Sequence, residues 1–162
     1  MSAELLVAGG ATVIALGSLW VSVVQSRSTI RHNRQSVRPL IQVRQVRLKP
    51  DRRAGLLAVN AGLGPALVTS TEVYYDGTHL GQWNLSAFHH VFAGAPREPV
   101  ISALFTGSTL LPGNKTYLLL LDPFDDTTDA WFWEIVANRL RIEIHYESLY
   151  GGEDFHAAPP PL

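Results

Sequence analysis

Four aspartates, Asp122, Asp125, Asp126 and Asp129, fall within eight residues, a density of carboxylate that could draw a cation. The glycine and terminal glutamate of a calcium-binding loop are missing. Acids just ahead of a helix start also favour its dipole, so a solvated loop leading into a helix is the expectation. His145 and Glu147 stand two apart, on one face of a strand, and His89 and His90 lie elsewhere. Together they are candidate metal ligands, but an exposed strand face and a polar loop account for them as well. Ser148 has no nucleophile elbow around it, and no Gly-x-Ser-x-Gly occurs. There is no cysteine, which excludes disulfides, thiolate metal sites and cysteine nucleophiles. The reading is therefore of a chain with no catalytic residue, no metal ligand and no cofactor, hence not an enzyme.

The segment Asn60-Ala61-Gly62-Leu63-Gly64-Pro65-Ala66 invites comparison with phosphate-binding loops. A dinucleotide loop needs a third glycine and a following helix, and a P-loop needs Gly-Lys-Ser/Thr; neither is present. A structural turn fits better. Asn60 can bond to the turn backbone, Gly62 and Gly64 allow positive φ or close backbone contact, and Pro65 suits a strand start or edge.

The elements around these residues read as strands. Residues 40–48 alternate, with Ile41 and Val43 inward and Val46 or Leu48 joining them. Residues 56–60 and 67–75 are further apolar, β-branched runs. Asp76-Gly77 is a two-residue hairpin signal, because both positions want positive φ, and residues 78–83 return. Residues 82–99 hold a short helix or an irregular crossover. Residues 100–111 and 116–121 read as strands. A helix is expected over 128–138, capped by Asp125 or Asp126. Residues 140–147 alternate cleanly, with Leu140, Ile142, Ile144 and Tyr146 on one face. Gly151-Gly152 turns the chain, and a short strand starts at Phe155. Of the adjacent Trp131, Phe132 and Trp133, two are expected in the core and one outside. Seven or so short strands predict an antiparallel, immunoglobulin-like β-sandwich with one short helix. An α+β sheet is the alternative.

The strongest single signal lies upstream. Residues 5–24 carry no charged side chain, and twenty residues at about 1.5 Å rise span the roughly 30 Å hydrocarbon layer of a bilayer. Trp20 suits the lipid–water boundary. Arg27, Arg31, Arg34 and Arg38 follow, with no acid until Asp51. A secretory signal would have a basic leader and a shorter apolar run. By the positive-inside rule the arginine side stays in the cytoplasm. Ala8, Ala11, Ala15, Ser18 and Ser22 share one helix face, where small residues let two membrane helices approach. The four arginines repeat at the same spacing and form a basic stripe for anionic lipid headgroups.

Charge is segregated along the chain. Nine of thirteen Lys and Arg residues lie at 27–53, whereas twelve of fourteen acids lie from Glu72 onward. A basic membrane-proximal part suits an anionic inner leaflet, and an acidic distal part argues against nucleic acid as a partner.

The Asn-x-Gly-x-Gly-Pro-Ala segment, together with the ending Ile144-His145-Tyr146-Glu147-Ser148-Leu149-Tyr150-Gly151, resembles a loose group of uncharacterised bacterial membrane-anchored proteins. These pair an N-terminal helix with an immunoglobulin-like β domain. The resemblance implies a fold and a membrane address, and it carries no known activity.

The expected organisation is an outside N-terminus at 1–4, a transmembrane helix at 5–25, a basic juxtamembrane segment at 26–38, a β-sandwich at 39–156 and a disordered tail at 157–162. The expected protein is a single-pass inner-membrane accessory subunit. Its cytoplasmic domain binds a protein partner, and its helix contacts lipid and pairs with a membrane partner or a second copy. One rival is a small-ligand or enzymatic site near residues 82–99. Another is a lipid- or envelope-associated structural factor, of phage derivation.

Overall fold

The computed structural model describes the backbone of residues 3–48 and 51–160. The chain divides into two units, residues 1–36 and 37–162.

The first unit is one helix, α1 (Ala3–Ser36). Its stretch Gly9–Thr29 is long and apolar enough to cross a membrane, and its side chains are unburied. The helix continues without a break through the basic segment to Ser36, because neither proline nor glycine interrupts residues 18–36.

The second unit is mainly β. Its strands are β1 (Ile41–Leu48), β2 (Arg53–Asn60), β3 (Ala66–Tyr75), β4 (Thr78–Gln82), β5 (Val100–Ile101), β6 (Thr109–Leu110), β7 (Lys115–Leu121), β8 (Leu140–Glu147) and β9 (Phe155–Ala157). The helices are α2 (Leu85–Val91) and α3 (Ala130–Trp133), the latter running into a π-helical segment, Glu134–Arg139. Two antiparallel sheets result. One has the order β1-β2-β7-β5; the other has β4-β3-β8-β9, with β6 also paired to β3.

Side chains of both sheets meet in one buried cluster. Leu56, Leu118, Leu119, Val73, Ile142 and Ile144 are fully enclosed, each burial contributing about 1.5–3 kcal/mol. The alternation over 140–147 appears as read, with Leu140, Ile142, Ile144 and Tyr146 buried and their neighbours less so. Asn84 caps α2 by accepting the Ala87 N–H at 3.1 Å.

Three expectations are corrected. Residues 100–111 form no single strand: β5 pairs with β7 and β6 with β3, so the run crosses from one sheet to the other. The predicted helix over 128–138 is four α-helical residues followed by the π-helical segment, and neither Asp125 nor Asp126 caps it, since Asp129 precedes α3 without a side-chain cap bond. Residues 157–160 are placed rather than loose, because Ala157 pairs with Ile144 in β9 and is buried.

Candidate functional site

The β domain has two chemically different ends. β1 starts, β2 ends, β3 starts, β7 starts and β8 ends at one of them, which is also where the chain enters from residue 37; we call it the entry end. The far end holds the β1–β2 and β3–β4 turns and the residues flanking α3.

At the entry end, Asn60 is fully buried. Its side-chain carbonyl accepts the N–H of Leu40 at 3.2 Å and of Gly62 at 3.0 Å. Its amide donates to the carbonyls of Gly64 and Leu110, both at 2.8 Å. Backbone bonds extend this clamp: Ala61 N–H to Leu40 O at 2.7 Å, Leu63 N–H to Arg38 O at 3.2 Å, and Gly113 N–H to Asn60 O at 2.8 Å. Gly62 and Gly64 serve close approach rather than positive φ. A Cβ on Gly62 would stand 2.4 Å from Leu40 N and 2.5 Å from Arg38 O, and one on Gly64 would stand 1.6 Å from Val37 O. Pro65 leads into β3. The Tyr146 hydroxyl accepts the Ile41 N–H at 3.1 Å, and Arg38 stacks 4.5 Å from the Phe155 ring centre. The whole motif thus grips residues 37–41, the stretch that follows α1.

At the far end, Asp76 and Gly77 take φ of 49° and 77°. Asp76 also holds Arg139 in a two-pronged ion pair of 2.8 and 2.5 Å, and its own N–H donates to Arg139 O at 2.9 Å. That pairing holds the Asp76 carboxyl below its ordinary range and raises Arg139. Arg139 also lies 4.5 Å from the Tyr75 ring centre.

The aspartate run is neutralised arginine by arginine. Arg47 pairs with Asp126, Arg52 with Asp125 at 3.2 Å, Arg53 with Asp122 at 2.7 Å, and Arg97 with the buried Asp129 at 2.8 Å. Asp122 accordingly raises Arg53. Hydrogen bonds from the Thr127 hydroxyl and N–H, more than Arg52, lower Asp125. Charge that is segregated in sequence is therefore interleaved in space, because β1, β2 and the turn between them carry three arginines back to the loop at 122–126.

The histidines are dispersed. His89 faces Glu98 at 3.9 Å, His79 faces Glu72 at 2.7 Å, and His145 faces Asp154 at 3.1 Å with His156 beside it. His90 lines a shallow depression of about 220 Å³ with Leu80, Asn84, Ser86 and Ala87, so the structure does not bring His89, His90 and acids together near residues 82–99. Among the described residues, no three His, Asp or Glu groups converge as metal ligands. Ser148 is tied to Glu153, its hydroxyl donating at 2.8 Å. Phe132 is fully buried and Trp131 and Trp133 are half-buried, so the aromatic run is one in and two partly in.

A larger groove of about 700 Å³ opens in the far half. Val136, Ala137, Asn138 and Arg139 of the π-helical segment form one wall; Gln45, Tyr74, Arg141, Glu143, Pro159 and Pro160 contribute others. Sequence reasoning misses it because no periodicity announces a π-helix or folds residues 159–160 back onto the sheet.

On α1, Ala11, Ala15, Ser18, Ser22 and Arg27 are exposed, and the Ser18 hydroxyl donates to Ile14 O at 2.9 Å. The side chains of Ala8, Arg31 and Arg34 lie outside the described residues. No family model matches the chain, and no curated protein matches it.

Proposed function

We propose that this is a single-pass inner-membrane accessory protein whose cytoplasmic, immunoglobulin-like β-sandwich presents a binding surface to a protein partner. Support for the address comes from the apolar stretch Gly9–Thr29 followed by arginines. The sandwich reading is supported by the strand orders β1-β2-β7-β5 and β4-β3-β8-β9. Lettered in chain order, with β6 left out, these are A-B-E-D and C′-C-F-G, the immunoglobulin arrangement with one extra C′ strand.

The observation that carries the interaction role is the groove walled by the π-helical segment. Such insertions sacrifice regular i to i−4 bonding and recur where a surface is shaped for use. Here Arg139, the last residue of the segment, pairs with Asp76 of the β3–β4 turn, which ties the wall to that hairpin. The groove mixes guanidinium, carboxylate and amide groups with proline and tyrosine surface, a lining that suits a polypeptide segment. The helix pairs within the bilayer through Ala8, Ala11, Ala15, Ser18 and Ser22, and Arg27, Arg31, Arg34 and Arg38 meet anionic headgroups.

The test is purification of the tagged full-length chain from mild detergent, with a photo-crosslinking residue at Asn138 in the groove or at Lys115 at the entry end. A discrete protein adduct from position 138, absent from 115, is expected. Equal, diffuse labelling at both positions would remove the groove from consideration.

A further inference from the structure

We infer that the entry end of the β domain rests on the bilayer that α1 crosses, with Leu63, Leu111 and Leu149 set into its interfacial layer. The inference rests on the anchoring reading above. Of the nine large apolar side chains that residues 37–160 expose among those described, seven belong to this end.

They come from four separate stretches that the topology gathers. Val37 and Leu40 sit in the gripped segment itself. Leu63 tips the turn between β2 and β3 and is 77% exposed. Leu111 follows β6, whose Leu110 pairs with the first residue of β3, and Phe105 stands nearby, its loop bonded to Val68 and Thr69. Leu149 and Tyr150 form the turn after β8, with Leu149 68% exposed. Single exposed apolar side chains need no explanation, but a convergence of this kind marks an interaction surface.

Two observations favour lipid as the occupant. The first is reach. Seven residues separate Thr29, the end of the membrane-long stretch, from Val37; even fully extended they reach only about 25 Å. The segment that enters the apolar surface, at Val37, is thus tethered within that chain length of the end of the membrane-long stretch.

The second is backbone satisfaction. The N–H groups of Ala61, Gly62 and Leu63 all donate within the clamp, and Asn114 N–H donates to Leu111 O at 3.0 Å. A loop entering a poorly hydrated layer must meet its own backbone needs in this way.

The absence of native cysteine makes the experiment direct. The full chain would be reconstituted into phosphatidylcholine–phosphatidylglycerol nanodiscs containing brominated lipid. A bimane label would be placed singly at Ala15, Leu63, Leu149 or Asn138, each replaced by cysteine. Quenching at 15, 63 and 149 but not at 138 is expected. Quenching at 15 with 63 and 149 no more quenched than 138 would overturn the inference while leaving the anchor intact. If 15 also escapes quenching, the anchoring reading fails and this one with it. A label at 63 or 149 that is dry by emission wavelength yet unquenched would put protein, not lipid, on this surface and overturn it too.

Discussion

The side-chain oxygen of Asn60 accepts the backbone N–H of Leu40 at 3.2 Å, while its amide bonds the carbonyls of Gly64 and Leu110. One buried side chain thus ties the chain's entry segment to two loops distant in sequence. Asn60→Ala strands two buried carbonyls and two part-buried N–H groups. At about 1–3 kcal/mol for each unsatisfied group, with partial relief by relaxation, a loss of about 3–4 kcal/mol is expected. Urea unfolding of the full chain in detergent, followed by tryptophan emission, would measure it. Asn60→Asp should be at least as damaging, because it sets a carboxylate against the Gly64 and Leu110 carbonyls. A loss under about 1 kcal/mol for both variants would contradict the clamp.

Gly64→Ala attacks the same junction sterically. The new methyl would stand 1.6 Å from Val37 O, which is main chain and cannot rotate away. Overpacking at a tight site costs about 1–3 kcal/mol, and here it also breaks the Asn60 contact to Gly64. The control is Gly9→Ala on α1, where the methyl meets nothing within 4 Å; it should leave stability unchanged. Comparable midpoints for the two variants would show that the entry segment is not gripped as described.

What could be read from the sequence was local. The inward run Leu140, Ile142, Ile144 and Tyr146 follows from period two, and Asp76-Gly77 adopts positive φ at both residues because little else tolerates it. What could not be read was the pairing of distant segments. Nothing near Arg47, Arg52 or Arg53 announces Asp126, Asp125 or Asp122 some seventy residues on. The same holds for residues 100–111, whose two strands join different sheets, and for Ala157, whose burial depends on Ile144. Asn60 and its glycines stood out by type, but their target at residues 37–40 lies outside the motif.

The far-end network should divide sharply by burial. Asp129 is 5% exposed, pairs with Arg97 at 2.8 Å and accepts the Asp125 N–H at 2.8 Å. Asp129→Ala leaves both donors without their acceptor, and a loss of about 1–3 kcal/mol is expected. The Asp126 side chain is 52% exposed opposite Arg47. Asp126→Ala should cost under about 1 kcal/mol, as exposed ion pairs do. Calorimetric melting of both variants would settle the order; a reversed order would contradict the assigned geometry.

Acid should loosen the far end first. Arg139 holds the Asp76 carboxyl below its ordinary 3.8, and Thr127 does the same for Asp125. A carboxylate whose pKa is lowered by folding contributes stability that is complete above the unfolded value. That stability is lost as pH falls below 3.8 toward the lowered folded values. Both groups are exposed, so the contribution is modest and screened by salt. The urea midpoint should fall between pH 5 and about pH 3. Arg139→Gln should flatten that fall while lowering the midpoint at pH 7. An unchanged slope would exclude Asp76 as a source of the acid sensitivity.

Helix pairing can be tested apart from the β domain's stability. Ala11, Ala15 and Ser18 are exposed on one face of α1, and Ser18 satisfies its hydroxyl on Ile14 O, so that hydroxyl needs no water. In lipid, association depends on close backbone approach rather than on hydrophobicity. Ala11→Leu, Ala15→Leu and Ser18→Leu together keep the segment apolar and helical but push a neighbouring helix away. A membrane two-hybrid signal from the full-length chain should drop several-fold, whereas Val13→Leu, Val23→Leu and Val24→Leu should leave it unchanged. The contrast separates packing from insertion, since neither set makes the segment less apolar. An equal signal from both would mean that this face does not mediate association.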